Sequence, residues 1–325
     1  MKKSLFLTLV LIVGCVIATN PHVAQENPGY TRAEYDAFQK AVEVADLGAK
    51  ATALKKFVDA NPKSKLVPYA NEQFGPVLQG LYQKRDMATL GRVAEQFLQL
   101  MPGNEVGTGY AFEAFAQTKN YVKAAKYGEA YYAKKPNQAA AQMLAMVFSN
   151  LNNQSKFINF AQKALEGKSA KDGFLLNYKL SEIFVKRKSF GRANRYCQRV
   201  LSAYPGSEVP PGTTPEKWSQ IKIAYNNIIG KNHYDGKRYR AGIRSFQNTL
   251  RLSPRNGMAF YYMGMSNWGQ EDIVTAMKNL SKAVTVDGGF AKPARGKLEI
   301  LYKASNNGSL DGLERRIKAA ASELK

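Results

Sequence analysis

Hydrophobic positions recur every three or four residues from residue 30 onward. Tyr35, Phe38 and Val42 follow this spacing, and Leu54 and Phe57 resume it after a short break. Such a period is typical of amphipathic helices that bury one face. Short polar or glycine-containing breaks separate the helical stretches, and few segments alternate as strands do. The pattern therefore predicts an all-α chain.

Five prolines mark the ends of helices at related intervals. Their separations are 40, 34, 69 and 49 residues, and a small or apolar residue precedes each of them by eight positions. The 69-residue gap fits two units of about 34 residues, and the 49-residue gap fits one unit plus an insertion. Gly288 follows the last of these prolines by 34 residues. The prolines are Pro62, Pro102, Pro136, Pro205 and Pro254, and the preceding residues are Leu54, Ala94, Gly128, Cys197 and Phe246. This period predicts a solenoid of paired helices.

Two units carry residues that resemble the tetratricopeptide repeat (TPR) family. The first has Ile229, Gly230, Tyr234, Tyr239, Ile243, Phe246, Leu250 and Pro254, and the second has Phe260, Met263, Gly264, Trp268, Ala276, Leu280 and Ala283. The first unit departs from the pattern at His233, where an aromatic is usual, and at Gly242, where alanine is usual. The resemblance covers residues 31–325. It implies a right-handed solenoid of about eight antiparallel helix pairs.

The unit boundaries follow from this phasing. Units one to five span 31–205, a loop rich in proline and glycine is inserted at 206–213, and units six to eight span 214–325 with a C-terminal capping helix. Thr214 and Pro215 are a suitable N-cap and first-turn residue for unit six. Pro68 and Pro76 both fall within the first helix of unit two, so we expect that helix to start late or to kink.

The N-terminus has the pattern of an export signal. Two lysines precede an apolar run that extends from residue 5 to residue 18, too short to span a bilayer comfortably. We therefore predict a signal over 1–25, a flexible tether over 26–30 and a periplasmic or secreted protein. Two processing sites compete: cleavage before Glu26, which we favour, and lipid attachment at Cys15, whose lipobox match is partial. A buried N-terminal helix is the remaining alternative.

Composition argues against most catalytic classes. The 325 residues contain two cysteines and two histidines, His22 and His233, which excludes a disulfide scaffold and a four-cysteine zinc site. The sequence contains no phosphate-binding loop, serine-hydrolase elbow, zinc-protease motif or Cys-x-x-Cys motif. Cys197 is interpreted as a small buried residue, not as a reactive thiol. We predict no catalytic residue, metal or cofactor.

The first helices of TPR units line the inner face of the solenoid, so the resemblance implies a groove there. Aromatic and polar residues at these positions would bind a protein or peptide segment. Alternatively, several of the aromatics simply pack between units. Asn227 and Lys231 match a carboxylate clamp only loosely and in reversed order, so no clamp is predicted. The groove candidates are Tyr178, Glu182, Asn227, Lys231, Tyr234, Tyr261, Met265 and Trp268.

A second candidate surface is basic. The chain has 47 Lys and Arg residues against 25 Asp and Glu residues. Within residues 168–255 there are 18 Lys and Arg residues and five Asp and Glu residues. Anionic lipid head groups, lipopolysaccharide or an acidic protein surface would suit this charge, whereas export makes nucleic acid an unexpected partner. The alternative is a solvated outer face. The residues are Lys186, Arg187, Lys188, Arg192, Arg195, Arg199, Lys237, Arg238, Arg240, Arg244 and Arg251.

These observations favour a non-catalytic adaptor in the cell envelope that holds a protein or peptide segment on its inner face. The segment from Asn61 to Ala70 looks like repeats of exported TPR proteins that assist envelope assembly. The alternative function is an envelope-assembly or anionic-surface binding protein that acts through the basic residues. Binding that falls steeply with salt would distinguish the second surface from the groove.

Overall fold

A computed structural model describes residues 29–286 and 288–324. Within these ranges the regular secondary structure is entirely α-helical, which confirms the predicted fold class. The chain divides into two compact units, one ending at Lys134 and one beginning at Lys135. The predicted export signal and Cys15 lie outside the described residues. No helix in the described ranges is both long and apolar enough to cross a membrane.

The first compact unit holds three predicted helix pairs. Apart from the third and the fourth helix, consecutive helices are joined by short turns and pack against each other as antiparallel neighbours. The helices are α1 (Arg32–Val42), α2 (Leu47–Ala60), α3 (Val67–Glu72), α4 (Phe74–Gln83), α5 (Met87–Leu100), α6 (Glu105–Gln117) and α7 (Tyr121–Lys134).

The first helix of the second pair is broken, as its two prolines predict. Pro68 lies in the first turn of α3, and Gln73 separates α3 from α4. Pro76 has no N–H with which to bond the carbonyl of Glu72, four residues earlier, so a continuous helix would lose a hydrogen bond there. The chain therefore forms two short helices in place of one.

The second compact unit holds four helix pairs followed by two last helices, which both pack against the second helix of the fourth pair and not chiefly against each other. Here each helix packs chiefly against the next one or two helices in chain order. Thr214 caps the fifth of its helices as predicted, because its side chain accepts a hydrogen bond of 3.2 Å from the N–H of Lys217. The helices are α8 (Gln138–Asn150), α9 (Gln154–Leu165), α10 (Phe174–Lys186), α11 (Phe190–Ala203), α12 (Pro215–Asp235), α13 (Tyr239–Leu252), α14 (Gly257–Trp268), α15 (Ile273–Thr285), α16 (Ala291–Ser305) and α17 (Leu313–Ser322).

Glycines on the first helices let the paired helices cross closely. A Cβ atom on Gly230 would lie 2.7 Å from ring carbons of Phe246, and one on Gly264 would lie 2.7 Å from Cγ of Leu280. Both of these partners are fully buried in the second helices α13 and α15. A contact between a small residue of the first helix and a bulky residue of the second is therefore present in two successive pairs.

The turn inside most pairs contains a residue in the left-handed conformation that is not glycine. Its φ angle lies between 53° and 64° in six turns, and the left-handed region costs an L-residue about 1–2 kcal/mol. The six residues are Arg85, Lys119, Asn152, Lys188, Lys237 and Glu271. These six turns thus share one backbone geometry, which is unfavourable for five of the side chains and tolerated by asparagine.

Arg85→Gly is expected to stabilise the first compact unit by about 0.5–1 kcal/mol, because relief of the left-handed strain exceeds the entropy that glycine loses. The matched control is Lys84→Gly, since Lys84 is also exposed but has a φ of −72°. That control is expected to destabilise the unit. Urea denaturation followed by circular dichroism measures both changes, and a lower midpoint for Arg85→Gly would contradict the argument.

Candidate functional site

Three tyrosines form a contiguous group on α12 and α14, called here the tyrosine cluster: Tyr234, Tyr261 and Tyr262. The ring centroid of Tyr262 lies 5.2 Å from that of Tyr234 and 5.1 Å from that of Tyr261. Phe290, just before α16, lies 5.4 Å from Tyr261. Residues from three successive pairs therefore meet at this point.

The sequence of α14 explains why its tyrosines stay half-exposed. Asn256 caps the helix by accepting a hydrogen bond of 2.9 Å from the N–H of Ala259. Phe260 and Met263 are buried on one side of the helix, which leaves Tyr261 and Tyr262 at the margin of the core. Sequence reasoning missed Tyr262 and Phe290. The run of three aromatics from Phe260 to Tyr262 was the available signal for Tyr262.

The hydroxyl groups of the tyrosine cluster are available to a partner. Within residues 29–286 and 288–324, none of the three hydroxyls forms a hydrogen bond. Burial raises the pKa of Tyr234, Tyr261 and Tyr262 above that of an ordinary tyrosine, so each hydroxyl stays protonated at neutral pH. Fixed rings with unused hydroxyls can bond a polypeptide backbone at small entropic cost.

Lys231 and Asn227, the predicted polar groove residues, are engaged within the chain. The Nζ atom of Lys231 lies 2.6 Å from the carboxylate of Asp235, and the hydrogen bond to Asp235 raises the pKa of Lys231. The same ammonium lies 5.8 Å from the ring centroid of Tyr262. Asn227 accepts a hydrogen bond of 2.9 Å from the hydroxyl of Thr249. The pair therefore does not present a free clamp.

Met265 and Trp268 serve mainly in packing. Both side chains lie half-buried against the hydrophobic core formed by α15, α16 and α17. Tyr261 touches the same core, but its hydroxyl remains unpaired among the described residues. For Met265 and Trp268 the structure thus favours the alternative of packing between units.

Tyr178 and Glu182 lie apart from the tyrosine cluster. The ring of Tyr178 is 6.3 Å from that of Tyr225, whose hydroxyl is 2.6 Å from that of Ser181. Glu182 lines a separate cleft of about 280 Å³ between α8 and α10. Nine residues of α12 separate Tyr225 from Tyr234, about 13 Å along the helix axis. The eight groove candidates therefore do not form one site.

The inserted loop at 206–213 packs on the N-terminal half of α12. Val209 contacts the cluster around Trp218, and Lys222 donates a hydrogen bond of 3.4 Å to the carbonyl of Gly206. Glu208 forms an exposed ion pair with Lys171 at 3.3 Å. Since Trp218 precedes Lys231 by about 20 Å of helix, the loop contacts the end of α12 away from the tyrosine cluster.

The eleven predicted basic residues, called here the basic face, lie at the ends of α10 and α12 and along α11 and α13. Most of them are exposed. Arg187 donates to the side-chain oxygen of Gln154 at 2.8 Å, and Arg199 donates to the carbonyl of Lys168 at 3.0 Å. In the described part of the chain, no member of the basic face forms an ion pair with a carboxylate.

The basic face has one half on α10 and α11 and the other half on α12 and α13. The two halves approach each other at the C-terminal end of α12. Arg238 donates to the side-chain oxygen of Asn232 at 3.2 Å, and a Cβ on Gly191 would lie 4.0 Å from the nitrogen of the same amide. Burial lowers the pKa of the neighbouring His233, and Arg238 and Arg244 lower it further. The histidine is therefore kept neutral, and the positive charge of the face comes from Lys and Arg.

Two features that a catalytic site could use, a metal-binding cluster and a reactive thiol, are absent from the described residues. They contain no group of three or more His, Cys, Asp or Glu that could hold a metal ion. Cys197 is fully buried, and burial raises the pKa of its thiol to about 12. The interpretation of Cys197 as a packing residue is thus confirmed, because a thiolate is the reactive form.

No protein-family model and no curated protein matches this sequence. Among solved structures, the C-terminal part of a TPR protein from Cytophaga hutchinsonii is similar at 17% identity, with 77% of this chain and 92% of that chain covered and a TM-score of 0.33. A tetratricopeptide repeat protein from Parabacteroides merdae is 12% identical, with coverages of 83% and 99% and a TM-score of 0.33. Yeast Tom70 is 14% identical, with coverages of 88% and 61% and a TM-score of 0.34.

Proposed function

We propose that this chain, whose helix pairs have the tetratricopeptide-repeat fold, is a non-catalytic adaptor that binds a protein or peptide segment at the tyrosine cluster. The observation that carries the proposal is the presence of three packed tyrosine rings whose hydroxyls have no partner in the described chain. Such groups give large contact area and directional hydrogen bonds without ordering a flexible side chain.

The proposal places the adaptor in the cell envelope. Its support is the sequence alone: two lysines followed by an apolar run at the N-terminus. Release before Glu26 would give a free periplasmic or secreted protein, and a lipid on Cys15 would hold the repeats at a membrane. Assistance to an envelope assembly fits either location.

The test uses a displayed library of random peptides selected against the purified chain. Calorimetry on an enriched peptide then compares the wild type with Tyr234→Phe, Tyr261→Phe and Tyr262→Phe. Each substitution removes a hydroxyl and keeps the ring, so the expected loss in affinity is about 2- to 12-fold, the value of one net hydrogen bond.

The matched control for this test is Tyr69→Phe, because Tyr69 is 58% exposed and lies in the first compact unit. This variant is expected to bind the peptide as the wild type does. If the three cluster variants also retain full affinity, the hydroxyls do not bind the peptide and the site is wrongly assigned.

A second candidate function is binding to an anionic surface through the basic face. The observation that favours it is the absence of acidic residues from 183–207 and from 236–270, which include all of α11 and α13. Long stretches without compensating charge create a positive potential that attracts anions. Binding of this kind weakens steeply with salt, whereas binding at the tyrosine cluster changes little.

A further inference from the structure

The basic face repeats the same arrangement in two successive pairs. Lys188 and Lys237 are the left-handed turn residues, with φ angles of 53° and 56°. Arg195 and Arg244 each follow seven positions later, and both are exposed. Because α11 and α13 are equivalent second helices of adjacent pairs, the two sets of charges point to the same side of the second compact unit. A partner with regularly distributed negative charge could contact both sets.

A notch of about 170 Å³ lies within the basic face between α9 and α11. It is lined by Arg192, Arg195, Gln162, Tyr196 and Gly191. Gln162 donates a hydrogen bond of 2.9 Å to the hydroxyl of Tyr196, which fixes one wall. Two guanidinium groups beside a small polar notch suit a phosphate group, since guanidinium supplies only donors and phosphate offers several acceptors.

An exposed aromatic residue directly precedes Gly191, one of the residues that line this notch. Phe190 is 38% exposed at the first position of α11, and only Ser189 separates it from the basic turn formed by residues 186–188. Tyr239 occupies the equivalent first position of α13. An exposed apolar ring that follows a basic turn and precedes Arg192 gains little from a purely polar acidic partner. It matches a bilayer, where phosphates lie directly above apolar chains.

We infer that the basic face binds the phosphate head groups of an anionic lipid bilayer, with Phe190 inserted below the phosphates. The inference rests on the second candidate function and specifies its partner. Arg192 and Arg195 would hold one phosphate in the notch, and Arg244 would contact another through the repeated arrangement. The tyrosine cluster is not part of this contact, so a bound peptide and a bound membrane use different residues.

The test is sedimentation of the purified chain with vesicles of phosphatidylcholine that contain about 30 mol % phosphatidylglycerol, at about 0.1 M salt. The chain is expected to bind these vesicles and not vesicles of phosphatidylcholine alone. The double variant Arg195→Glu, Arg244→Glu is expected to lower the partition coefficient at least about 30-fold, because each surface cation contributes roughly a factor of five.

The matched control is Arg315→Glu, Lys318→Glu, which makes the same change in net charge on the exposed side of α17. It is expected to lower binding less than about threefold, as long-range charge alone would at this salt. Phe190→Ala is expected to lower binding about fivefold without altering its salt dependence, because the lost contact is apolar. Circular dichroism checks that each variant keeps its helices.

Equal binding to neutral vesicles, or equal losses in the two double variants, would overturn the inference. Two soluble anions, poly-glutamate and inorganic phosphate, test whether the basic face binds an acidic protein or free phosphate and not a bilayer. Salt-sensitive binding to poly-glutamate without binding to vesicles would assign the face to an acidic protein, so the second candidate function would stand and the lipid inference would fail. Tight binding of inorganic phosphate without vesicle binding would likewise overturn it. If the chain binds neither vesicles nor poly-glutamate nor phosphate, the second candidate function and the lipid inference are both wrong.

Discussion

Phe246→Ala is expected to lower the free energy of unfolding of the second compact unit by about 3–5 kcal/mol. The ring is fully buried and stacks on Tyr262 at 5.7 Å with the planes 9° apart. It also fills the space beside Gly230, which has no side chain of its own to close a cavity. The substitution therefore removes buried apolar area and leaves a void at the junction of α12, α13 and α14.

Urea denaturation with circular dichroism measures this loss, and Phe190→Ala supplies the same chemical change at an exposed site. That control is expected to cost less than about 1 kcal/mol. A small loss for Phe246→Ala would mean that the neighbouring helices collapse into the void. The tyrosine cluster depends on the same packing, so peptide affinity is also expected to fall, even though Phe246 is too deep to touch a ligand.

Gly264→Ala is expected to destabilise the second compact unit by about 1–2 kcal/mol, although alanine is the better helix former by about 1 kcal/mol. The new Cβ would lie 2.7 Å from Cγ of Leu280 and 3.1 Å from the carbonyl oxygen of Ala276. Leu280 is fully buried, and the carbonyl belongs to the backbone of α15. Neither can move without separating α14 from α15.

The control for this substitution is expected to change the stability of the unit in the opposite direction. Gly296 lies inside α16, and a Cβ there would meet nothing within 4 Å. Gly296→Ala is therefore expected to stabilise the unit by about 1 kcal/mol through helix propensity alone. Thermal denaturation of the two variants side by side gives both signs, and stabilisation by Gly264→Ala would show that the helices of the pair are not in close contact.

The helix pairs could be predicted from the sequence because two patterns agree. The spacing of the prolines marks the ends of the repeat units, and the spacing of the apolar residues marks the helices within the same units. The break between α3 and α4 was equally accessible, since the missing N–H of Pro76 is a local property of the chain. Such features depend on neighbours within one or two turns. They do not require knowledge of how one pair sits on the next.

The candidate site was harder to predict, because it depends on contacts between pairs. Asn227 is bonded by Thr249, which lies 22 residues away on another helix. Phe290 reaches Tyr261 from a connection whose path no helical period describes. The phase of the repeats predicts one residue per helical turn on the inner face of each first helix. It therefore predicted Met265 and Trp268 as groove residues and did not predict Tyr262. The exact rotation of each first helix decides which side chain is exposed.

In the second compact unit each helix packs chiefly against its near neighbours in the chain. This arrangement also affects how the unit folds. Most of the packing between helices in this unit joins elements that are close in the chain, so little chain entropy is lost before the contacts are gained. A single helix pair can therefore nucleate folding, and later pairs can add to it one at a time. The terminal helix α17 packs chiefly against α15, whereas α12 packs against α11, α13 and α14, so an amide in α17 should exchange with solvent sooner than one in α12. We therefore expect this unit to fold with the kinetics of a growing linear array, in which no single distant contact has to form first.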